Sequence, residues 1–223
     1  MVVDFIDHLR KEAYDNLNIQ DYQVDIQGWM DRTFESVFEK SLNSTNAMNT
    51  KLTTILEVGS WKGLSTSTMA TICKKHSIKA NIIAIDTWLG APEFWGWGLQ
   101  DPTRGISLRC KDGYPQVFYT FTKNMKSLGH DDTVIPFPIS SLCAVDVLKY
   151  YNLQADIIYI DAAHEYESVK QDINKYLEIL KPNGIIFGDD YNSNWPGVMQ
   201  AVDEIFHNNK EVLGGVWSFQ KSL

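Results

Sequence analysis

The chain has 223 residues, 44% of them hydrophobic and 22% charged, and a formal net charge of −8. That length suffices for one α/β domain with a sizeable core. The acidic balance argues against a nucleic-acid partner, whose phosphates require a basic face, and no run approaches the roughly 18 apolar residues a membrane helix needs. The N-terminus lacks a basic region followed by an apolar stretch, so no signal peptide is read. Cys73, Cys110 and Cys143 are widely spaced and read as reduced thiols of a cytoplasmic protein.

Residues 1–26 are mixed and charged and predict a helix and a connection. Gln27–Leu42 reads as an amphipathic helix, because Met30, Phe34, Val37 and Phe38 share one face. With the turn-like stretch 43–50 these form an N-terminal helical cap over residues 1–50. Thr53–Val58 predicts a first strand, followed by the Gly59–Gly63 loop and a helix from Ser65 to Lys75. Asn81–Ile85 is a second strand, ending at Asp86. Residues 88–132 hold Trp88, Phe94, Trp95, Trp97, Tyr114, Phe118, Tyr119 and Phe121 with no clear period. An insertion this long is expected to act as a substrate lid with some helix of its own, placed at Tyr114–Leu128.

Thr133–Phe137 is a third strand, and Ser140-Ser141 leads into a helix ending at Tyr151. Asp156–Ile160 is a fourth strand. A long helix carries Tyr166, Val169, Ile173, Tyr176, Leu177 and Leu180 on one stripe, with Pro182-Asn183-Gly184 as its stop signal. Ile185–Phe187, a helix over Val198–Phe206, and short strands at Glu211–Leu213 and Gly215–Gln220 complete the chain. The alternation predicts a single Rossmann-like, doubly wound α/β domain: a mostly parallel seven-stranded sheet with helices on both faces.

Glu57, Asp161 and the pair Asp189-Asp190 each follow a short apolar run. Each is therefore expected where a parallel strand stops, the edge at which open α/β sheets bind ligands. Acids gathered there imply a cationic ligand, a metal ion, or both. The Gly59-Ser60-Trp61-Lys62-Gly63 loop lacks the third glycine of a dinucleotide fingerprint and the Gly-Lys-Ser/Thr of a phosphate loop, so its ligand carries no phosphates. Asp86 either accepts the two hydroxyls of a ribose or caps the turn that follows it. Glycine loop plus ribose acid point to S-adenosylmethionine, whose tail carboxylate the amides near Gly63–Thr66 would hold.

Glu57-Val58-Gly59-Ser60-Trp61-Lys62-Gly63-Leu64-Ser65-Thr66, followed by Asp86-Thr87-Trp88-Leu89-Gly90, resembles the class I S-adenosylmethionine-dependent methyltransferases. With Asp161 and Asp189-Asp190, residues 52–220 resemble the metal-dependent O-methyltransferases, especially the macrocin-type sugar enzymes and, more distantly, the catechol type. The resemblance implies that Glu57, Gly59, Trp61 and Ser65 line the methionine end of the cofactor, that Asp86, Thr87 and Trp88 lie at the ribose, and that Ser60, Gly63 and Asp161 also belong to the cofactor site. Ser140 and Ser141 match the adenine edge. Trp88 either stacks on adenine or is a core tryptophan.

By the same resemblance Asp161, Asp189 and Asp190 bind a divalent cation. Carboxylates without a nearby Cys suit a hard ion, Mg²⁺ or Mn²⁺. Such an ion would acidify an acceptor hydroxyl, and chelation through two oxygens favours vicinal diols, as in sugars and glycans or catechols. His164 stands where the catechol type has a lysine base. It takes the proton, Asp161 does, or His164 orients a carboxylate or touches the cofactor. His8, His76, His130 and His207 read as surface residues. Trp195 either stacks on a substrate ring or packs on the next helix. Arg104 and Arg109 grip an acidic substrate or are solvated.

The expected activity is O-methylation of a sugar or other small diol. Alternatives are a metal-independent methyltransferase, a Mg²⁺-dependent phosphoesterase, and a non-catalytic nucleoside-binding or interaction module. Acceptor and oligomeric state stay open in the sequence.

Overall fold

The computed structural model describes residues 2–15, 17–96 and 102–222, side chains at positions 48 and 102–104 excepted. Trp97 and the Arg104 side chain therefore lie outside the described residues. Seven strands form one sheet: β1 (Thr53–Val58), β2 (Ala80–Asp86), β3 (Val134–Pro138), β4 (Ala155–Ile160), β5 (Leu180–Gly188), β6 (Glu211–Leu213) and β7 (Val216–Gln220). Their order is β3-β2-β1-β4-β5-β7-β6. The first five are parallel, and only β7 and β6 run against their neighbours. The reversal of order lies between β1 and β4, so the loops after these two strands border the crevice where such sheets take ligands.

The strands are near-continuous runs of Ile, Val and Leu because both faces of a parallel sheet are covered. On one face lie α2 (Phe34–Ser44), α3 (Leu64–Lys75) and α6 (Val117–Ser127), packing Phe34, Phe38, Met69 and Phe121 against Ile55, Ile82 and Tyr159. On the other lie α7 (Ser141–Tyr150), α8 (Tyr166–Ile179) and α9 (Pro196–Phe206), with Val145, Ile173, Tyr176 and Val202 against Leu56, Ile158 and Ile186. The N-terminal helix α1 (Val2–Tyr14) reaches the β3 edge, where Phe5 meets Phe137 edge-on at 5.8 Å. None of the described helices is long and apolar enough to cross a membrane.

Three expectations are corrected. Gln27–Leu42 is not one helix: α2 begins at Phe34, and residues 21–31 run without regular structure along the carboxyl edge of the sheet. The insertion holds two short helices, α4 (Pro92–Trp95) and α5 (Pro102–Ser107), before α6, which starts at Val117 rather than Tyr114. Pro182-Asn183-Gly184 does not stop α8, which ends at Ile179. It forms a kink inside β5, with Asn183 at φ +62° and a register irregularity against β4.

Candidate active site

Glu57 sits near the end of β1 with no exposed surface. Its Oε1 accepts the Ser65 hydroxyl at 2.5 Å and its Oε2 accepts the Thr66 hydroxyl. Burial pushes the carboxyl up to about 7, against the pull of these hydroxyls. The bonds fasten the first turn of α3 to the sheet and so fix the loop between. Gly59 and Gly63 both have φ near +90°, and a Cβ on Gly59 would meet the Asp161 carbonyl oxygen at 1.9 Å. Only a glycine lets the loop lie against the end of β4.

Asp86 clamps the same loop from β2. Its Oδ2 accepts the Ser60 and Trp61 amides at 2.9 and 2.8 Å, and its Oδ1 accepts the Trp88 amide at 2.7 Å. Trp61, Trp88 and Asp190 all have φ between +45° and +64°, a conformation that costs a bulky residue free energy and gathers at functional edges. Among the described residues the Trp61 indole N–H is buried with no hydrogen-bond partner, whereas the Ser60 hydroxyl lies close enough to Glu57 to pull on its carboxyl.

Across the crevice, Asp161, His164 and Asp190 each present one ligand atom within 4.8 Å of the others. His164 Nε2 lies 2.8 Å from Asp190 Oδ2, and its ring stacks on Trp195 at 4.0 Å and 22°. Tyr159 donates its hydroxyl to Asp161 Oδ2 at 3.0 Å. Burial, then the charges of Asp189 and Asp190, push Asp161 up to about 8. Burial alone would lower His164, but the Asp190 carboxylate outweighs it and the imidazole is raised.

Residues 56–191, more than half of the chain, match the family described as a methyltransferase domain. The chain belongs to this methyltransferase family. An uncharacterized protein of Acanthamoeba polyphaga mimivirus is 27% identical to it over 176 residues, 78% of this chain and 68% of that one. Among solved structures, the O-methyltransferase NovP superposes with a TM-score of 0.60 at 15% identity, covering 100% of both chains. The calicheamicin methyltransferase CalS11 gives 0.59 at 15% identity, covering 98% of this chain and 91% of that one. A Bacillus cereus O-methyltransferase in complex with SAH gives 0.56 at 12% identity, covering 96% and 91%. At these identities the likeness establishes the fold, that of the class I S-adenosylmethionine-dependent methyltransferases.

In this methyltransferase some expected site residues stand differently from the sequence reading, and others take one of the two places it left open. Glu57 does not expose a carboxylate: both oxygens serve Ser65 and Thr66, and Ser65 is left with its backbone amide for any ligand. Trp88 is a core residue, 1% exposed, enclosed by Phe118 and Phe121 and donating its indole N–H to the Trp61 carbonyl, so it offers no face for adenine. Asp86 does cap its own turn, and Thr87 is exposed beside it. Ser140 is exposed at the start of α7, whereas the Ser141 carbonyl is taken by Tyr176.

The acidic triad also changes membership. Asp189 accepts the Asp31 and Asp190 amides, one on each oxygen, and His164 takes its place among the converging ligand atoms. His130 is not a surface residue: it is buried against Thr71, and burial lowers its imidazole. Arg109 is not free in solvent but pairs with Asp25. Trp195 packs on His164.

Sequence reasoning missed Tyr159 and Asp31. Tyr159 precedes Asp161 by two residues along β4, and that period alone puts both on one face of a strand. No such local signal marks Asp31, whose amide meets Asp189 across 158 residues.

Proposed function

We propose that this methyltransferase moves a methyl group from S-adenosylmethionine to a hydroxyl of a small vicinal diol, a sugar or glycan unit in the first instance, with a divalent cation assisting. One observation carries the reading: the Asp161–His164–Asp190 cluster lies against the glycine loop, Gly59 touching the Asp161 carbonyl. CalS11, whose fold this chain shares, is a TDP-rhamnose 3'-O-methyltransferase, which supports a sugar as the first acceptor to try.

The residues fit the cofactor. The Trp61 indole N–H is buried in the loop with no hydrogen-bond partner among the described residues, and the amides at the start of α3 suit a carboxylate. They also fit a cation, because Asp161 and Asp190 are crowded acids whose mutual repulsion a positive charge would relieve. When bound, the cofactor supplies a methyl carbon on a sulfonium that leaves with the C–S electron pair, and the cation lowers the pKa of the acceptor hydroxyl.

The chain aligns and deprotonates. Glu57 and Asp86 hold the loop rigid, so alignment is set before reaction. His164 is stacked in place by Trp195, and with Nε2 turned to Asp190 it takes the acceptor proton at its other ring nitrogen. Asp190 favours the charged imidazole and so strengthens His164 as a base, while a partner that shared the Asp190 charge would leave more of the imidazole neutral and ready to accept.

The His164–Asp190 pair also supports a second reading, in which that dyad deprotonates the acceptor without a metal. A labelled-methyl screen of sugars, glycosides and catechols, with Mg²⁺ or Mn²⁺ and after complete chelation, separates the two. The first reading expects turnover only with the cation, and turnover unchanged after metal removal would select the second. Titration with S-adenosylhomocysteine comes first: absence of saturable binding would end both.

A further inference from the structure

Asp25 lies on the extended segment that runs from α6, past the glycine loop, to the end of β5. Donors from separate elements converge on it. Lys62, inside the glycine loop, donates Nζ to Asp25 Oδ2 at 2.7 Å and to Gln27 Oε1 at 3.1 Å. Arg109, from the insertion, reaches the same Oδ2 at 3.2 Å. Asn124 of α6 binds the Asp25 main chain twice, accepting its amide at 2.8 Å and donating to its carbonyl at 2.9 Å, and donates again to the Lys62 carbonyl at 2.7 Å. Three residues on, Gly28 lies flat on α3: a Cβ there would sit 2.9 Å from Leu64 Cβ.

The Lys62 side chain is 2% exposed. An ammonium so enclosed needs an anion, and Asp25 provides it. The Arg109 bond is different. It is half-exposed, and exposed ion pairs add little to stability. Its consequence is connection: one carboxylate oxygen joins the loop expected to hold the cofactor to the insertion expected to cover the acceptor.

We infer that Asp25 is a positioning residue that couples the glycine loop to the insertion, so that filling the cofactor site orders the insertion and an ordered insertion slows cofactor release. The inference rests on the proposed reading of the loop as the cofactor site. By linkage, ordering of the insertion on binding and tighter equilibrium binding by an ordered insertion are one coupling, and slower release is the rate in which that tighter binding is read.

The test uses the full chain, S-adenosylhomocysteine as ligand, and trypsin cleavage at exposed Lys111 as the reporter of the insertion. In the unmodified chain the ligand should protect Lys111. In Asp25→Asn the main-chain bonds to Asn124 remain, ligand release should accelerate on the order of ten-fold, and protection should vanish. Arg109→Gln should lose protection with an unchanged melting temperature, which a merely structural role would not produce. If Asp25→Asn does not fold, Arg109→Gln decides by the same criterion. No ligand binding by the unmodified chain would overturn the cofactor reading itself. Binding with both variants released and protected as the unmodified chain would overturn the coupling alone.

Discussion

Gly59 and Asp161 are in backbone contact: a single added carbon on Gly59 would lie 1.9 Å from the Asp161 carbonyl oxygen. The β1 loop and the end of β4 therefore cannot move independently, and the cofactor loop and the acid–imidazole cluster share one crevice because of it. Gly63 has nearly the same φ, but its obstacles are side chains, the Met125 methyl at 2.5 Å and the Phe121 ring at 3.1 Å.

The two glycines should therefore respond differently to alanine. Gly59→Ala meets backbone that cannot yield and should cost on the order of 3 kcal/mol or more, with loss of S-adenosylhomocysteine binding. Gly63→Ala should cost less, about 1–2 kcal/mol, since it meets side chains, the Met125 methyl and the Phe121 ring, that can give way, leaving chiefly the positive φ. Thermal melts and calorimetric titration of the two variants check the order. Equal losses would show that φ, not the contact with Asp161, sets the cost.

Asp189 and Asp190 are adjacent acids with different expected phenotypes. Asp189→Asn removes an acceptor from one of two half-buried amides, those of Asp31 and Asp190, and should cost about 1 kcal/mol. Asp190→Asn removes the charge beside His164. Asp190 raises the imidazole above its ordinary value, so the pair stabilises the fold at pH below the unfolded histidine value and that contribution fades as pH rises through the folded one. Asp190→Asn should thus destabilise at pH 6 more than at pH 9, and NMR titration should show the His164 pKa falling. An unchanged titration would remove Asp190 as the cause.

The sheet was legible in the sequence because buried parallel strands are short apolar runs bounded by acids and glycines, and β1 has the boundaries read from that pattern. The segment before α2 was not. Met30, Phe34, Val37 and Phe38 do repeat at helical spacing, yet the Asp31 carboxylate takes the Thr33 amide and hydroxyl at 2.8 and 2.6 Å while its own amide goes to Asp189. Long-range bonds stretch the chain there, and periodicity carries no trace of them. A strand-end acid likewise announces its position but not its direction: Glu57 turns under α3 and Asp189 toward Asp31, whereas Asp161 and Asp190 reach the crevice. In β5 the Pro182-Asn183-Gly184 turn signal was real, but Asn183 and Gly184 bond across to Lys221, so the kink stays within the sheet.

Lys62 was visible in the loop motif with no role attached. Lys62→Met should test its burial directly. Removing the ammonium leaves Asp25, which keeps Arg109 and partial solvent, so the uncompensated charge is the milder one. Lys62→Met should cost less stability than Asp25→Leu, which strands the enclosed ammonium at a penalty of about 3–5 kcal/mol. Chemical denaturation of both variants gives the comparison, and a larger loss in Lys62→Met would reverse the assignment of which charge depends on the other.

Asp172 supplies a pH dependence far from the crevice. It is 4% exposed on α8, in the layer of the fold that packs Ile173 and Tyr176, and burial pushes it up to about 6 while the Ser141 hydroxyl pulls the other way. Its unfolded value is 3.8, so folding takes up a proton between the two. For an acid raised by folding the native state binds more protons, and stability falls as pH rises from about 4 to about 6, then levels off. The two-unit difference bounds the loss at about 3 kcal/mol. Asp172→Asn keeps the shape and a group able to bond Ser141 but cannot ionise. It should match the wild type near pH 4, exceed it by up to that amount at pH 8, and leave methyl transfer unchanged. Urea melts at pH 4, 6 and 8 decide: parallel stability curves for the two proteins would mean that Asp172 is charged in the fold at little cost.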